Sequence, residues 1–374
     1  MPSQRVTTLR ALCERANTPF VEVTLGDNYP PATPVVERML DIQILLHIRH
    51  AHVYFGLLQD VHIFWYSFIY TRGDEWVFNG QMCVNYNDEL FDAAARTLME
   101  SPQWKPFDRY IEEEGIFIGG LSGRPNFGHF VFEYLTRLAI FDSYGLLGKL
   151  PIFVHEDMPD SWLDFMEILG IPRHLLVKIP VNGCPAFRKV WVSSVPNGTD
   201  DKKQVFAWKA GYHWLRHKML AGIGGAKVSA RRRLYLGRQG VKWRKVINEA
   251  KVIKCLEGYG FECPLFEHMP ARQQIELISG AELVVATEGA GATLTHFAPE
   301  HCVTLLLSQR KSGGLWGGMA AAMFFGQIYE WVHCTAEEPN TELEKDFEVD
   351  LAGLRTKVER ALALVAQGLG GPRP

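Results

Sequence analysis

Apolar positions change their period along the chain, and the change divides it near the middle. From Val53 to Val77 aromatic and β-branched residues dominate (Tyr54, Phe55, Val61, Ile63, Phe64, Trp65, Tyr66, Phe68, Ile69, Tyr70), with a turn at Arg72-Gly73-Asp74, so strands are expected. Helical spacing follows at Leu90 to Met99 and again at Phe130 to Leu147, and Pro151-Ile152-Phe153-Val154 then reads as a short buried strand. A helix over Ser161 to Leu169 stops at Gly170 and Pro172, and Leu175 to Ile179 reads as the next strand, a βαβ rhythm.

Polar residues 193 to 204, with Pro196, Asn197 and Gly198, fit a connecting loop. A helix from about Gln204 to Ala221 runs into Gly222-Ile223-Gly224-Gly225, a flexible break. Beyond it the pattern alternates: strand Arg233 to Leu236, helix Lys245 to Tyr259, strand Phe261 to Leu265, helix Ala271 to Ser279, strand Leu283 to Ala286, a small-residue turn, and strand Val303 to Leu307. Such alternation specifies a parallel sheet with helices on both faces. Asp350 to Gln367 reads as a terminal amphipathic helix with Leu351, Leu354, Val358, Ala361, Leu362 and Val365 on one stripe. The expected division is 1–203, a linker helix and Gly-rich hinge at 204–225, a second domain at 226–340, and a C-terminal helix and tail at 341–374.

With 374 residues, 47% of them hydrophobic and 22% charged, the chain can bury two cores. A net charge of -3 argues against a general nucleic-acid binder. The seven cysteines form no C-x-x-C pair and suit a reducing, cytosolic compartment. Met1 to Arg15 lacks the apolar core of a signal peptide. The apolar stretch Val53 to Tyr70 is interrupted by Gln59, Asp60 and His62, short of the ~20 apolar residues that cross a bilayer. A cytoplasmic location is therefore expected, with peripheral attachment to the inner face of a membrane left open.

Three constellations could carry chemistry. In the first, Leu283-Val284-Val285-Ala286 runs into Thr287-Glu288-Gly289-Ala290-Gly291-Ala292-Thr293: a buried strand ending in small residues that open a helix leaves backbone N–H groups facing an anion. Gly-Ala-Gly serves close helix–strand packing about as often, and Glu288 would repel an anion unless it points elsewhere or bonds a sugar hydroxyl. The second is Arg231 to Lys245, with seven positive charges and no acid in fifteen residues. Arg231 to Arg233 read as a solvated strand entrance, whereas Arg238, just past the strand end, and Arg244 read as bidentate holders of a diphosphate. The third is Asn126 to Leu138, where His129, Glu133 and Arg137 fall on one helix face. A His/Glu pair four apart can share a proton, as a general base requires, or form an ordinary salt-bridge ladder; the apolar neighbours indicate burial, where charges need a reason.

His47, His50 and His52, and the pair His213 and His217, lack an acid or cysteine at ligand spacing and are set aside as metal sites. No D-x-D tripeptide occurs, which weakens a mechanism built on a metal-bridged diphosphate. No metal and no cofactor are expected.

Taken in order, the three constellations resemble glycosyltransferase family 61, whose C-terminal part is also called the DUF563 domain. Its helix pattern N-(Y/F)-x-H-W-x-x-(D/E)-x-L-P-R-L aligns with Asn126, Phe127, His129, Glu133, Leu135, Arg137 and Leu138. Its S-R…R-R-x-x-N-E segment aligns with Gly237-Arg238 and with Arg244, Lys245, Asn248 and Glu249. Its Y-G-F…L-x-x-x-Q segment looks like Tyr259-Gly260-Phe261 and Met269 to Gln273 or Gln274, and its H-G-A-G-L-T-N-x-x-F-A-P signature runs over Glu288 to Pro299. The departures are Glu288 for His, Ala292 for Leu, Leu294 for Asn, Phe130 for Trp and Thr136 for Pro.

The resemblance, over residues 117 to 333, implies an α/β GT-B-like fold: two Rossmann-like domains facing a cleft, with extra β structure near the N-terminus. It implies an inverting, metal-independent glycosyltransferase moving a sugar from a nucleotide-sugar donor, UDP-linked, to a glycan or glycolipid acceptor in polysaccharide assembly. Glu133 and His129 become the catalytic candidates. Arg238, Lys242, Arg244, Asn248, Glu288, Gly289, Ala290, Gly291 and Thr293 become donor contacts, and Asn126 and Arg137 acceptor contacts. The alternative is a scaffold of the same fold that binds glycan or nucleotide without turnover, with Glu288 as the lesion. Nucleic acid is not expected as a partner, and the oligomeric state is left open.

Overall fold

The computed structural model describes residues 5–6, 8–23, 34–38, 43–50, 53–64, 69–72, 75–78, 106–119, 126–180, 184–195, 198–199, 205–239, 244–300, 302–309, 324–336 and 346–367. The helix expected over Leu90 to Met99 lies outside them, as does Lys242. Two compact units divide the chain, Met1–Pro34 with His47–Leu215 and Val35–Leu46 with Arg216–Pro374, so the division falls within the helix Lys209–Gly222.

The first unit is built on a mixed sheet whose seam is the strand Cys184–Ser193. On one side this strand pairs antiparallel with Tyr54–Phe64, which continues antiparallel into Ile69–Arg72 and Glu75–Phe78. On the other side it runs parallel to Gly115–Phe117, followed by parallel Ile152–His155 and Leu176–Ile179. Short links return Tyr54–Phe64, Ile69–Arg72 and Glu75–Phe78 antiparallel to one another, whereas the helices 127–143 and Asp160–Ile168 supply the crossovers between the parallel strands Gly115–Phe117, Ile152–His155 and Leu176–Ile179. The first unit is thus mixed, one half of its sheet antiparallel and the other parallel. The seam strand went unread in the sequence because Pro185 and the charged pair Arg188-Lys189 interrupt its apolar pattern. Leu58, Val61, Phe117, Phe153, Phe187 and Val190 form the core, with Leu9, Leu12 and Cys13 of the helix Leu9–Ala16 packed into it.

The second unit carries a sheet in the order Arg232–Leu236, Ala281–Thr287, Val303–Ser308, Ile328–Ala336, Phe347–Val349, parallel except for the last pairing. Strand Ala281–Thr287 is buried throughout. Its Leu283 and Val285 join Val252 and Leu256 of the helix Glu249–Glu257 and Leu354, Val358 and Ala361 of the helix Leu351–Ala366 in one core. Val284 and Ala286, equally buried, face the opposite side by the two-residue strand period, where the helix Ala271–Ile278 packs on the segment Ala290–Phe297. Helices thus cover both faces, as the alternation required.

Three expectations change. The strand over Phe261 to Leu265 shrinks to one parallel bridge, Leu234 with Glu262, because Pro264 has no N–H for the ladder. The helix expected from Lys245 begins at Glu249, since Ile247 N–H donates to Phe347 O and Phe347 N–H to Lys245 O. The small-residue turn opens a 3-10 helix rather than an α-helix: Thr293, Thr295 and His296 each bring a side chain to the carbonyl three residues back, which tightens the winding. The strands Ile328–Ala336 and Phe347–Val349 were not foreseen. No helix among the described residues is long and apolar enough to cross a membrane.

Candidate active site

In the second unit the chain leaves strand 232–236, returns beside it at Glu262 on one flank, and crosses to strand 281–287 on the other. Neighbour order therefore reverses at strand 232–236, and the crevice at the carboxyl ends of the two flanking strands is where open α/β sheets take ligands. Gly237-Arg238 follows one strand end and Glu288-Gly289 the other, tied together by Thr287 Oγ1 donating to Leu236 O at 3.2 Å.

Arg238 lies against Gly289: a Cβ there would sit 2.1 Å from Nη1, and the backbone has φ 151, so only glycine fits. The Arg238 main-chain N–H donates to Glu249 Oε1 at 2.9 Å, and the buried Tyr235 hydroxyl donates to the same oxygen at 3.0 Å. Gly237 allows that approach, since its Cβ would meet Glu249 Oε1 at 2.4 Å. Arg244, in the left-handed region at φ 58, sits near enough that burial first and its charge second push the Arg238 guanidinium pKa down. Arg244 Nε is buried and has no hydrogen-bond partner among the described residues. Two guanidiniums held together against their mutual repulsion define a place for a multiply charged anion.

Glu288 is buried; its main-chain N–H donates to Leu307 O at 2.9 Å, and its carboxylate accepts from the Ser308 hydroxyl. With Glu249 and Glu267 it opposes the positive field on Arg238. Ala290 is half-buried, and Gly291 is exposed, with nothing within 4 Å of where its Cβ would be. Close packing is therefore not the reason for that glycine. The Thr293 hydroxyl is buried on Ala290 O at 2.6 Å, so it shapes the turn. Asn248 clamps the edge strand: its amide donates to Val349 O at 2.8 Å and accepts from Val349 N–H at 3.0 Å.

The arginines at the strand entrance belong to the opposite end of the sheet. Buried Glu282 is bracketed by Arg231 Nε at 2.9 Å and Arg233 Nε at 3.0 Å, and Arg232 pairs with Glu262 at 2.6 Å. They neutralise carboxylates and are separate from the crevice.

In the first unit, Asn126 caps the helix over 127–143, its Oδ1 accepting from Gly128 N–H at 2.9 Å and His129 N–H at 3.3 Å. The helix is α-helical to His129, π-helical over Phe130–Leu135 and α-helical again over Thr136–Ser143. The Thr136 hydroxyl takes up Phe132 O, the carbonyl four back that the widened turn exposes. Across this turn His129 Nδ1 meets Glu133 Oε1 at 2.7 Å. The two side chains differ in access, 42% exposed for His129 and 8% for Glu133.

Burial pushes the Glu133 pKa up, and the Glu133 hydrogen bond holds His129 above the usual imidazole range, so the pair retains a shared proton. Glu133 Oε2 is buried without a hydrogen-bond partner among the described residues. Tyr212 packs its ring 5.9 Å from that of Phe132, and burial followed by the Glu133 charge pushes its phenol pKa up, which keeps it protonated. Arg137 is 2% exposed and donates to Gly119 O at 2.8 Å, Ser193 Oγ at 3.0 Å and Ser193 O at 3.3 Å. It ties the carboxyl ends of two parallel strands together. In the structure Arg137 thus serves as a strand tie and Asn126 as a helix cap.

The fold and these two clusters define an α/β protein with two neighbouring arginines beyond a strand switch point and a histidine–carboxylate pair. Residues 127–305 match the family model Glycosyltransferase 61, so this region of the chain is similar to that family. The family implies glycosyltransferase activity, which requires a sugar donor and an acceptor. No curated protein matches the chain. Sequence reading had missed Glu249, Ser308, Ser193 and Tyr212 as site residues; of these only Glu249 had a signal, as the last residue of the R-R-x-x-N-E segment.

Proposed function

We propose that the chain is an inverting glycosyltransferase of the GT-B type that takes a UDP-linked sugar and passes it to a glycan or glycolipid acceptor in polysaccharide assembly. Supporting this reading most directly is the juxtaposition of Arg238 and Arg244 at the switch point, with Arg238 seated on Gly289. The donor's diphosphate fits there, its charge met by guanidiniums instead of a divalent ion and by the exposed backbone at Ala290 and Gly291. His129, the accessible member of its pair, takes the proton from an acceptor hydroxyl, and Glu133 orients the ring and steadies the resulting imidazolium. The acceptor oxygen bonds to the anomeric carbon as the bond to the diphosphate breaks on the opposite face. The nucleoside diphosphate leaves with the electron pair, onto the two arginines.

Calorimetry with UDP on the full chain tests the donor half. Arg238→Ala is expected to weaken UDP binding about tenfold to a hundredfold, the loss of a charge-assisted bidentate contact. Unchanged affinity would remove the diphosphate from this crevice. One observation favours a second reading: a buried carboxylate, Glu288, stands in the crevice where the family signature has histidine. A scaffold that binds without turnover would show UDP binding but neither transfer nor slow donor hydrolysis.

A further inference from the structure

Glu249 has so far been given no part in the reaction, yet its carboxylate is bonded to the main chain that carries Arg238. One of its oxygens, Oε1, accepts from the Arg238 main-chain N–H at 2.9 Å and from the Tyr235 hydroxyl at 3.0 Å. It is the first residue of the helix Glu249–Glu257, and Gly237, which would drive a Cβ to 2.4 Å from that oxygen, leaves it room. Tyr235 is itself 1% exposed and locked in the strand core.

The chain of constraint runs from a rigid strand through the Tyr235 hydroxyl to Glu249, then to the peptide that carries Arg238. On its far side the Arg238 guanidinium is bounded by Gly289. We infer that Glu249 is the positioning residue of the crevice, holding the Arg238 peptide so that the guanidinium is aimed at the donor before the donor arrives.

Orientation, rather than charge alone, is the point of the arrangement. A carboxylate near Arg238 offsets part of its repulsion from Arg244, but Glu267 and Glu288 supply that as well. Glu249 differs in being bonded to the Arg238 main chain, its Oε1 accepting from that N–H at 2.9 Å. An arginine whose peptide is already fixed gives up less backbone freedom on gripping a diphosphate, and affinity gained in this way is preorganisation. The inference rests on the reading that Arg238 holds the donor diphosphate.

The test is a set of full-length variants compared by UDP calorimetry and transfer kinetics. Glu249→Gln keeps the Oε1 acceptor and the reach but removes the charge; Glu249→Asp keeps the charge but loses the reach. Positioning predicts that E249Q stays within about threefold of wild type in UDP affinity, whereas E249D and E249A lose about tenfold, with the acceptor KM unchanged. In the double variant R238A/E249A the losses should not add, leaving it within about twofold of R238A, because Glu249 acts through Arg238.

If E249D retains wild-type UDP affinity, or if E249D outperforms E249Q, or if the R238A and E249A losses add, the inference is overturned. Should E249A fail to fold, the comparison of E249Q with E249D decides it, since both keep a side chain that fills the space. R238A with undiminished UDP affinity would instead bring down the donor-site reading itself, so the two failures are distinguishable.

Discussion

His129 and Glu133 show how one residue pair sets both chemistry and stability. A base must be neutral to accept a proton, and the Glu133 hydrogen bond raises the His129 pKa, so the transfer rate should climb as pH rises through that raised value. Glu133→Gln removes the carboxylate, and the acid limb of the pH–rate profile should move to lower pH with a reduced plateau. A profile whose acid limb stays in place in that variant would detach Glu133 from the base. Stability runs the other way. A histidine whose folded-state pKa exceeds its unfolded value stabilises fully below the unfolded pKa and loses that contribution as pH rises through the folded one. Raised Glu133 adds the same sign, since ionising a buried carboxyl that prefers to stay protonated disfavours the fold. The pair was legible because its members are four apart. Arg137 was not, because its partners Ser193 and Gly119 lie 56 and 18 residues away and nothing local announces them.

At the scale of the element, the turn after strand 281–287 depends on two glycines for different reasons. Gly289 has φ 151 and would place a Cβ 2.1 Å from Arg238 Nη1, while Gly291 would meet nothing within 4 Å. Gly289→Ala should therefore displace Arg238, lowering UDP affinity about tenfold or more and destabilising by about 1 to 3 kcal/mol from backbone strain. Gly291→Ala should leave the melting temperature unchanged. Equal melting temperatures for both variants would contradict the close approach of Arg238. The winding of this element was hidden from the sequence. Small residues predict that a helix opens there, but whether it becomes α or 3-10 depends on where Thr293, Thr295 and His296 find acceptors. The π-helical stretch Phe130–Leu135 is similar: apolar spacing predicts a buried helix, and the widened turn emerges only with the Thr136 hydroxyl on Phe132 O.

For the molecule as a whole, each unit carries one half of the proposed chemistry at the carboxyl edge of parallel strands, donor contacts in the second unit and the base in the first. Binding to the folded state alone stabilises by mass action, about 2.7 kcal/mol at a hundred times the dissociation constant. Thermal melting of the full chain should therefore rise with UDP and hardly with uridine, because the crevice is lined for phosphate charge. An equal shift from uridine would place recognition on the base instead. GDP and CMP in the same screen would report the nucleotide.

What the amino-acid sequence determined by itself is whatever is local or periodic: the alternating second unit, the His129/Glu133 face, the Glu288 to Thr293 turn. Those features arise from spacing along one backbone, and spacing is written in the chain. That Arg231 to Arg233 differ from Arg238 and Arg244 was readable from strand position, but the carboxylates they meet, Glu282 and Glu262, were decided by tertiary structure alone. So were the commitment of Asn248 to Val349, of Arg137 to two strand ends, and of Glu249 to the Arg238 peptide. A charged or polar side chain satisfies its hydrogen bonds with whatever partner the fold brings within reach, and that partner is chosen by topology, not by sequence distance.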